Sequence, residues 1–204
     1  MKILAFDTCL DKTYITIAND KDILANKVIL SDSENYHSAY LISTITELLK
    51  QTKLKPIDID IIATDIGPGS FTGIRACTTV ARVLAQQLNI KAIGISSLEI
   101  LSKIINEPNI VVLDARKNKG YVYDKEVLGA IELEKIDEIV KGKTVITDNN
   151  LIERISLNAK KAISYQQIEC KLSDILAQLA IKKQETDWRK LKPLYIQPPP
   201  VFGK

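Results

Sequence analysis

The stretch best suited to chemistry is Gly67-Pro68-Gly69-Ser70-Phe71-Thr72-Gly73-Ile74-Arg75, which sits between a short apolar run and a long amphipathic one. Glycine permits positive φ and close approach of another backbone, Pro68 stiffens the turn, and Ser70 or Thr72 can cap the free N–H groups of a following helix. A strand-turn-helix junction of this kind can hold an anion on those N–H groups. The spacing matches neither GxGxxG nor GxxxxGK[ST], because Ile74 and Arg75 follow the last glycine.

A second candidate lies at the start of the chain, where Asp7 and Thr8 end an apolar run and lead into Cys9-Leu10-Asp11-Lys12-Thr13. An acidic residue followed by hydroxyls at a strand end is a place where a metal-bound phosphate can be held. A plain hairpin with hydrogen-bonding side chains is an equal reading. The chemistry that is poorly supported is clearer. His37 is the sole histidine, so a histidine metal set cannot be assembled, and it reads better as a helix-start or interface residue. Cys9, Cys77 and Cys170 are far apart in sequence and read as reduced structural thiols. Gly69-Ser70-Phe71 is not a GxSxG elbow, and Ser96-Ser97 has no second histidine to act as its base.

These motifs need elements to hold them. An apolar run at 2–6 and an alternating run at 13–18 predict a β-hairpin, with a third strand at 25–30 and a polar break at 31–35. Leu41, Ile42, Ile45, Leu48 and Leu49 fall on one arc of a helix over 37–50. A strand over 57–64 feeds the glycine turn, and a helix then runs from 71 or 72 to 88. Its apolar residues cover roughly 200°, more than one packed face requires. A strand at 91–94 and a helix at 97–105 complete a first lobe over residues 1–105, read as β-β-β-α-β-α-β-α. Residues 106–204 form a second, shorter αβ lobe, with strands at 110–113, 120–124 and 143–147 and helices at 151–157 and 172–183. The expected class is α/β with mixed sheets covered by helices.

Composition bounds the rest. The chain has 204 residues, 46% of them hydrophobic, enough for a genuine core. Lys and Arg number 10 against 11 acidic residues in 1–102, and 18 against 14 in 103–204, so the basic excess is C-terminal. The proline-rich end, with Lys182, Lys183, Arg189, Lys190, Lys192 and Lys204, is a solvated tail or a phosphate contact. No apolar run approaches a membrane span and Asp7 comes too early for a secretory signal, so a cytoplasmic location is expected.

Taken in order, Asp7-Thr8 with its hairpin, His37-Ser38, Gly67 to Arg75, Ile93 to Glu99, Asp114-Ala115-Arg116 and Pro193 to Ile196 resemble the bacterial TsaB family. The resemblance runs nearly end to end. It implies an actin-like ASKHA (ribonuclease H-like) fold of two αβ lobes, the second shortened. It also implies a non-catalytic subunit that activates a TsaD-like transferase in forming threonylcarbamoyladenosine next to the anticodon of tRNAs reading ANN codons. Where that relative binds metal through an HxxxH helix, this chain has Ser97-Leu98-Glu99-Ile100-Leu101, without either histidine. After Asp114-Ala115-Arg116 the family pattern brings an acidic residue before a Val-Tyr pair, whereas this chain has Lys117, Asn118 and Lys119 before Gly120-Tyr121.

The same resemblance implies no cofactor of its own, ATP, magnesium and threonylcarbamoyl-adenylate being used by the complex. A TsaE-like ATPase would join the assembly, tRNA would be met mainly through it, and the chain alone would form a homodimer. The wide apolar arc motivates a partner face made of His37, Leu41, Ile45, Ala76, Thr79, Val80, Arg82 and Val83. The competing reading is an ATPase or phosphotransferase that uses Asp7, Thr8 and the Gly67 to Gly73 turn around magnesium-bound nucleotide.

Overall fold

The computed structural model describes residues 1–30, 37–183 and 187–197. The polar break at 31–35, and Pro198 to Lys204 of the tail, lie outside them. Two five-stranded mixed sheets organise the chain, one in each of two compact units.

The first sheet has the order β3-β2-β1-β4-β5, from β1 (Lys2–Asp7), β2 (Lys12–Asn19), β3 (Ile23–Leu30), β4 (Ile61–Asp65) and β5 (Lys91–Ile95). β1 runs antiparallel to β2 and parallel to β4. Ile3, Leu4, Ala5 and Phe6 are all buried, as expected of a central strand covered on both faces. On one face, Leu4, Phe6, Ile15, Ile17 and Ile62 meet α1 (Leu41–Gln51) and α2 (Phe71–Leu88). α1 buries Leu41, Thr44, Ile45, Leu48 and Leu49, the i, i+3, i+4, i+7 stripe of an amphipathic helix. α2 starts at Ser70, whose hydroxyl accepts from the Gly73 N–H, and stops at Asn89 in the left-handed region.

The second sheet repeats the plan of the first: β10-β9-β6-β7-β8, from β6 (Ile110–Asp114), β7 (Lys119–Asp124), β8 (Glu126–Glu132), β9 (Thr144–Thr147) and β10 (Lys161–Ser164). β6 again lies between an antiparallel hairpin and two parallel strands. α4 (Leu133–Ile139) and α5 (Ile152–Ser156) hold the positions after its third and fourth strands that α1 and α2 hold in the first unit. Its core comprises Ile110, Val112, Val122, Ile136, Val145 and Ile155.

Several expectations need correction. α3 (Ser97–Leu101) is shorter than 97–105. Ile57 and Asp58 belong to a 3-10 turn that opens at Pro56, and β4 begins only at Ile61. β8, α4 and β10 were not anticipated. The division at 105 also fails for the last helix. α6 (Leu172–Lys182) belongs to the first unit, which comprises Met1–Ser97 and Lys171–Leu194. The reason is packing: Leu172, Leu176, Ala177 and Ala180 bury against β1 and β2, on the face opposite α1 and α2. Polar contacts fix the docking, because the buried Thr16 hydroxyl meets Ser173 and Asp174, and Asn26 Nδ2 reaches Asp174 at 3.0 Å.

Candidate functional site

Each sheet ends its two central parallel strands in an aspartate. Asp7 and Asp65 close β1 and β4; Asp114 closes β6, and Asp148 follows β9. In all four the carboxylate folds back onto the N–H two residues on: Cys9 at 2.6 Å, Gly67 at 2.7 Å, Arg116 at 2.7 Å and Asn150 at 2.9 Å. Each is an Asx-turn that redirects the chain off the sheet. The carboxyl ends of parallel strands are where open α/β sheets bind ligands, so both ends are candidate sites.

The first unit's end is closed on itself. Asp7, Thr8 and Asp65 are each 0% exposed. Thr8 donates its hydroxyl to the Gly73 carbonyl at 2.7 Å, and Ser70 N–H donates to the Cys9 carbonyl at 2.7 Å. A Cβ on Gly73 would lie 1.8 Å from the Thr8 carbonyl oxygen, and one on Gly69 would lie 2.2 Å from that of Cys9. These two glycines therefore admit the chain's own backbone, in the space where the sequence suggested a phosphate. Gly67 has φ +99° and precedes a cis bond to Pro68. Ser97 Oγ stands 2.9 Å from Asp65 and 2.8 Å from the Pro68 carbonyl, tying the turn to the start of α3.

Burial dominates the electrostatics of this cluster. It holds the Asp7 carboxyl well above the usual carboxylate range, and the Asp65 charge adds to the effect. Asp65 is pushed up to about 7, again chiefly by burial, with the Gly67 N–H opposing. Oδ2 of each carboxyl is buried with no hydrogen-bond partner, so the pair is short of a proton or another cation. Cys9 and Cys77, unrelated by spacing, come together here, and burial raises the Cys9 thiol.

The second unit's end is more open. Asp148 accepts from the Asp114 and Leu151 N–H groups as well as that of Asn150, while Asn150 Nδ2 reaches Asp114 at 3.2 Å. Burial raises the Asp148 carboxyl against those hydrogen bonds. Arg116 is 82% exposed, 3.8 Å from Asp114, and stands with Lys117 and Asn118 in a run of positive φ. Lys119 pairs with Glu132.

The expected partner face is only partly available. Leu41 and Ile45 are 1% and 5% exposed and belong to the first unit's own core, and Val80 packs against that core. They are corrected to core residues, because the stripe that makes α1 amphipathic is the one its sheet needs. Ala76 is half-buried, whereas Thr79, Arg82 and Val83 face outward, Val83 at 51% exposure. Of His37 only the backbone is described, at the start of a 3-10 turn. Phe71 and Arg75 stack at 6.0 Å, and Thr72 is exposed. The residues that sequence reasoning missed are Asp65, Asp148 and Ser97. The recurring signal, an aspartate ending each apolar strand, was present for the first two.

Residues 22–183 match the family model described as TsaD: tRNA N6-adenosine threonylcarbamoyltransferase. The chain belongs to this family. Its curated relatives place it among the TsaB proteins. It is 36% identical to the tRNA threonylcarbamoyladenosine biosynthesis protein TsaB of Buchnera aphidicola (subsp. Baizongia pistaciae) over 102 residues, 50% of this chain and 45% of that protein. The TsaB of B. aphidicola subsp. Acyrthosiphon pisum is 28% identical over 181 residues, 78% of this chain and 80% of that one. The chain thus spans about half the length of the first of these relatives. A Pseudomonas aeruginosa crystal structure, described as an uncharacterized protein with similarity to peptidase YeaZ, superposes with TM-score 0.77 at 18% identity. That match covers 96% of this chain and 99% of that one. The TsaB-family chain has the actin-like, ribonuclease H-like fold that the sequence implied. Among its described residues, no helix is long and apolar enough to cross a membrane.

Proposed function

We propose that this TsaB-family chain acts in tRNA threonylcarbamoyladenosine biosynthesis as a partner that binds and activates a TsaD-like transferase, without carrying the transfer itself. The observation that carries this reading is the closed strand end. Asp7 and Thr8 are fully buried, and Gly69 and Gly73 lie against the Cys9 and Thr8 carbonyls, which leaves a nucleotide phosphate no approach to them. That packing argues against the phosphotransferase alternative. The 97–101 segment, SLEIL, offers no histidine to hold a catalytic metal.

The partner face is the outer side of α2, Thr79, Arg82 and Val83, with Ala76 at its margin. A homodimer through the same face forms when the chain is alone. ATP, magnesium and threonylcarbamoyl-adenylate are handled by the complex, which a TsaE-like ATPase joins and through which tRNA is met in the cytoplasm. Calorimetric titration of the chain with a TsaD-like protein tests the reading. Saturable one-to-one binding, with no tight magnesium-dependent ATP binding by the isolated chain, is expected; ATP binding without partner binding would reverse the assignment.

A further inference from the structure

Two thiols and a carboxyl that are distant in sequence converge inside the first unit. The ligand atoms of Asp7, Cys9 and Cys77 all lie within 4.8 Å of one another, and the three residues are 0–1% exposed. We propose that Asp7, Cys9 and Cys77 form a buried binding site for one structural zinc-class cation, with Asp65 as the fourth donor.

The first support is the account of oxygen atoms. Asp7 Oδ1 is taken by the Cys9 N–H, and Asp65 Oδ1 by the Gly67 N–H and the Ser97 hydroxyl. Oδ2 of each carboxyl is buried with no N–H or hydroxyl donor, so the pair needs a cation, either a proton or a metal ion, between its oxygens. No salt-bridge cation reaches either carboxyl among the described residues.

The second support is independent and lies at the sulfur. Cys77 Sγ receives the Thr8 backbone N–H at 3.1 Å and lies 3.2 Å from the Thr8 hydroxyl oxygen, whose own proton goes to the Gly73 carbonyl. Hydrogen bonds around the ligand atoms are what orient them in metal centres.

The donor set selects the ion. Two thiolates with carboxylate oxygen suit zinc, which takes four ligands at about 2.3 Å to sulfur and about 2.0–2.2 Å to oxygen. In a tetrahedron of those bonds the donor atoms stand about 3.5–3.8 Å apart, so the Asp7, Cys9 and Cys77 donors, all within 4.8 Å of one another, need to close by at most about 1.3 Å. Magnesium is excluded, because it demands six oxygens and keeps several waters, which a dry site with two sulfurs does not supply. On binding, each Zn–S bond replaces an S–H bond and the proton held between the carboxyls leaves with the two thiol protons, so up to three protons pass to solvent. Donors this deeply buried take the ion during folding and release it slowly.

The test uses the full chain, refolded under reducing conditions with zinc alone or with cobalt(II) as the spectroscopic probe. After desalting against a weak chelator, elemental analysis should give about one zinc per chain. The cobalt form should show a thiolate-to-metal charge-transfer band together with the visible bands of a tetrahedral centre. Cys9→Ser and Cys77→Ser, near-isosteric and checked for folding by circular dichroism, should each retain about tenfold less zinc, whereas Cys170→Ser should match wild type. If either serine variant fails to fold, the charge-transfer band of wild-type cobalt protein still decides. A wild-type chain that retains no more metal than Cys9→Ser, a cobalt spectrum without the sulfur band, or a Cys9–Cys77 disulfide formed in preference to metal uptake would overturn the proposal.

Discussion

Gly73→Ala is the perturbation that separates a glycine kept for the chain's own packing from one kept for a phosphate. The added Cβ would stand 1.8 Å from the Thr8 carbonyl oxygen and 2.7 Å from its carbon. Carbon and oxygen settle at about 3.3 Å, so Thr8 has to withdraw by about 1.5 Å. The three strongest hydrogen bonds across that seam are Thr8 Oγ1 to the Gly73 carbonyl at 2.7 Å, Thr8 N–H to Cys77 Sγ at 3.1 Å, and Ser70 N–H to the Cys9 carbonyl at 2.7 Å. At about 1 kcal/mol each they contribute about 3 kcal/mol, and forcing the seam apart costs about 1–3 kcal/mol more. Alanine in place of glycine in a helix returns about 1 kcal/mol. The expected net loss is about 3–5 kcal/mol, read as a lower urea midpoint at unchanged slope, against about 0.5 kcal/mol or less for Thr79→Ala on the exposed side of the same helix. A Gly73→Ala protein as stable as wild type would refute the reasoning.

Val83→Glu, on the exposed side of α2, should leave stability within about 0.5 kcal/mol while weakening binding to the TsaD-like partner at least tenfold in a titration; Val80→Glu should instead lose about 2 kcal/mol or more of stability, because Val80 packs against the core. Asp174→Ala removes a carboxylate that accepts from Thr16 and Asn26, and a loss of about 2 kcal/mol in urea unfolding is expected; no loss would mean that α6 is held by its apolar face alone. In the metal-free chain burial pushes the Asp65 carboxyl up to about 7 when folded, against the ordinary aspartate value of 3.8 when unfolded. The folded state therefore binds more protons between those values, and stability falls as pH rises through the window, by up to about 1.4 kcal/mol per pH unit for one proton. Asp65→Asn should flatten that slope, and an unchanged slope would assign it elsewhere.

The elements that sequence patterning located well are those with punctuation. α2 begins after Gly69-Ser70 and ends before Asn89 as read, because a serine cap and a left-handed residue mark its ends. The central strands β1 and β6 are near-continuous apolar runs. β8 and β10 are edge strands with no strong alternation, the latter only four residues long, and they escaped for that reason. The 3-10 turn at Pro56 was absorbed into a strand because Ile57 and Ile59 alternate with aspartates. Placement was the harder problem. The heptad-like stripe of α1 was legible, but a stripe does not say whether it faces its own sheet or a partner, and Leu41 and Ile45 proved to face the sheet. α6 follows the second unit in sequence yet packs on the first, because β1 and β2 present an uncovered apolar face. Cys9 and Cys77 meet only because β1 and α2 are brought together across the glycine turn, a contact that no local spacing announces.

The most direct test of the proposed role is reconstitution of tRNA modification from a TsaD-like protein, a TsaE-like ATPase, a threonylcarbamoyl-adenylate source, tRNA and this chain, with modified adenosine read by mass spectrometry. Omitting either this chain or the TsaD-like protein should abolish product, and Val83→Glu should lower it while the folded fraction stays constant. Product formed in the absence of the TsaD-like protein would make this chain the catalyst and contradict the account.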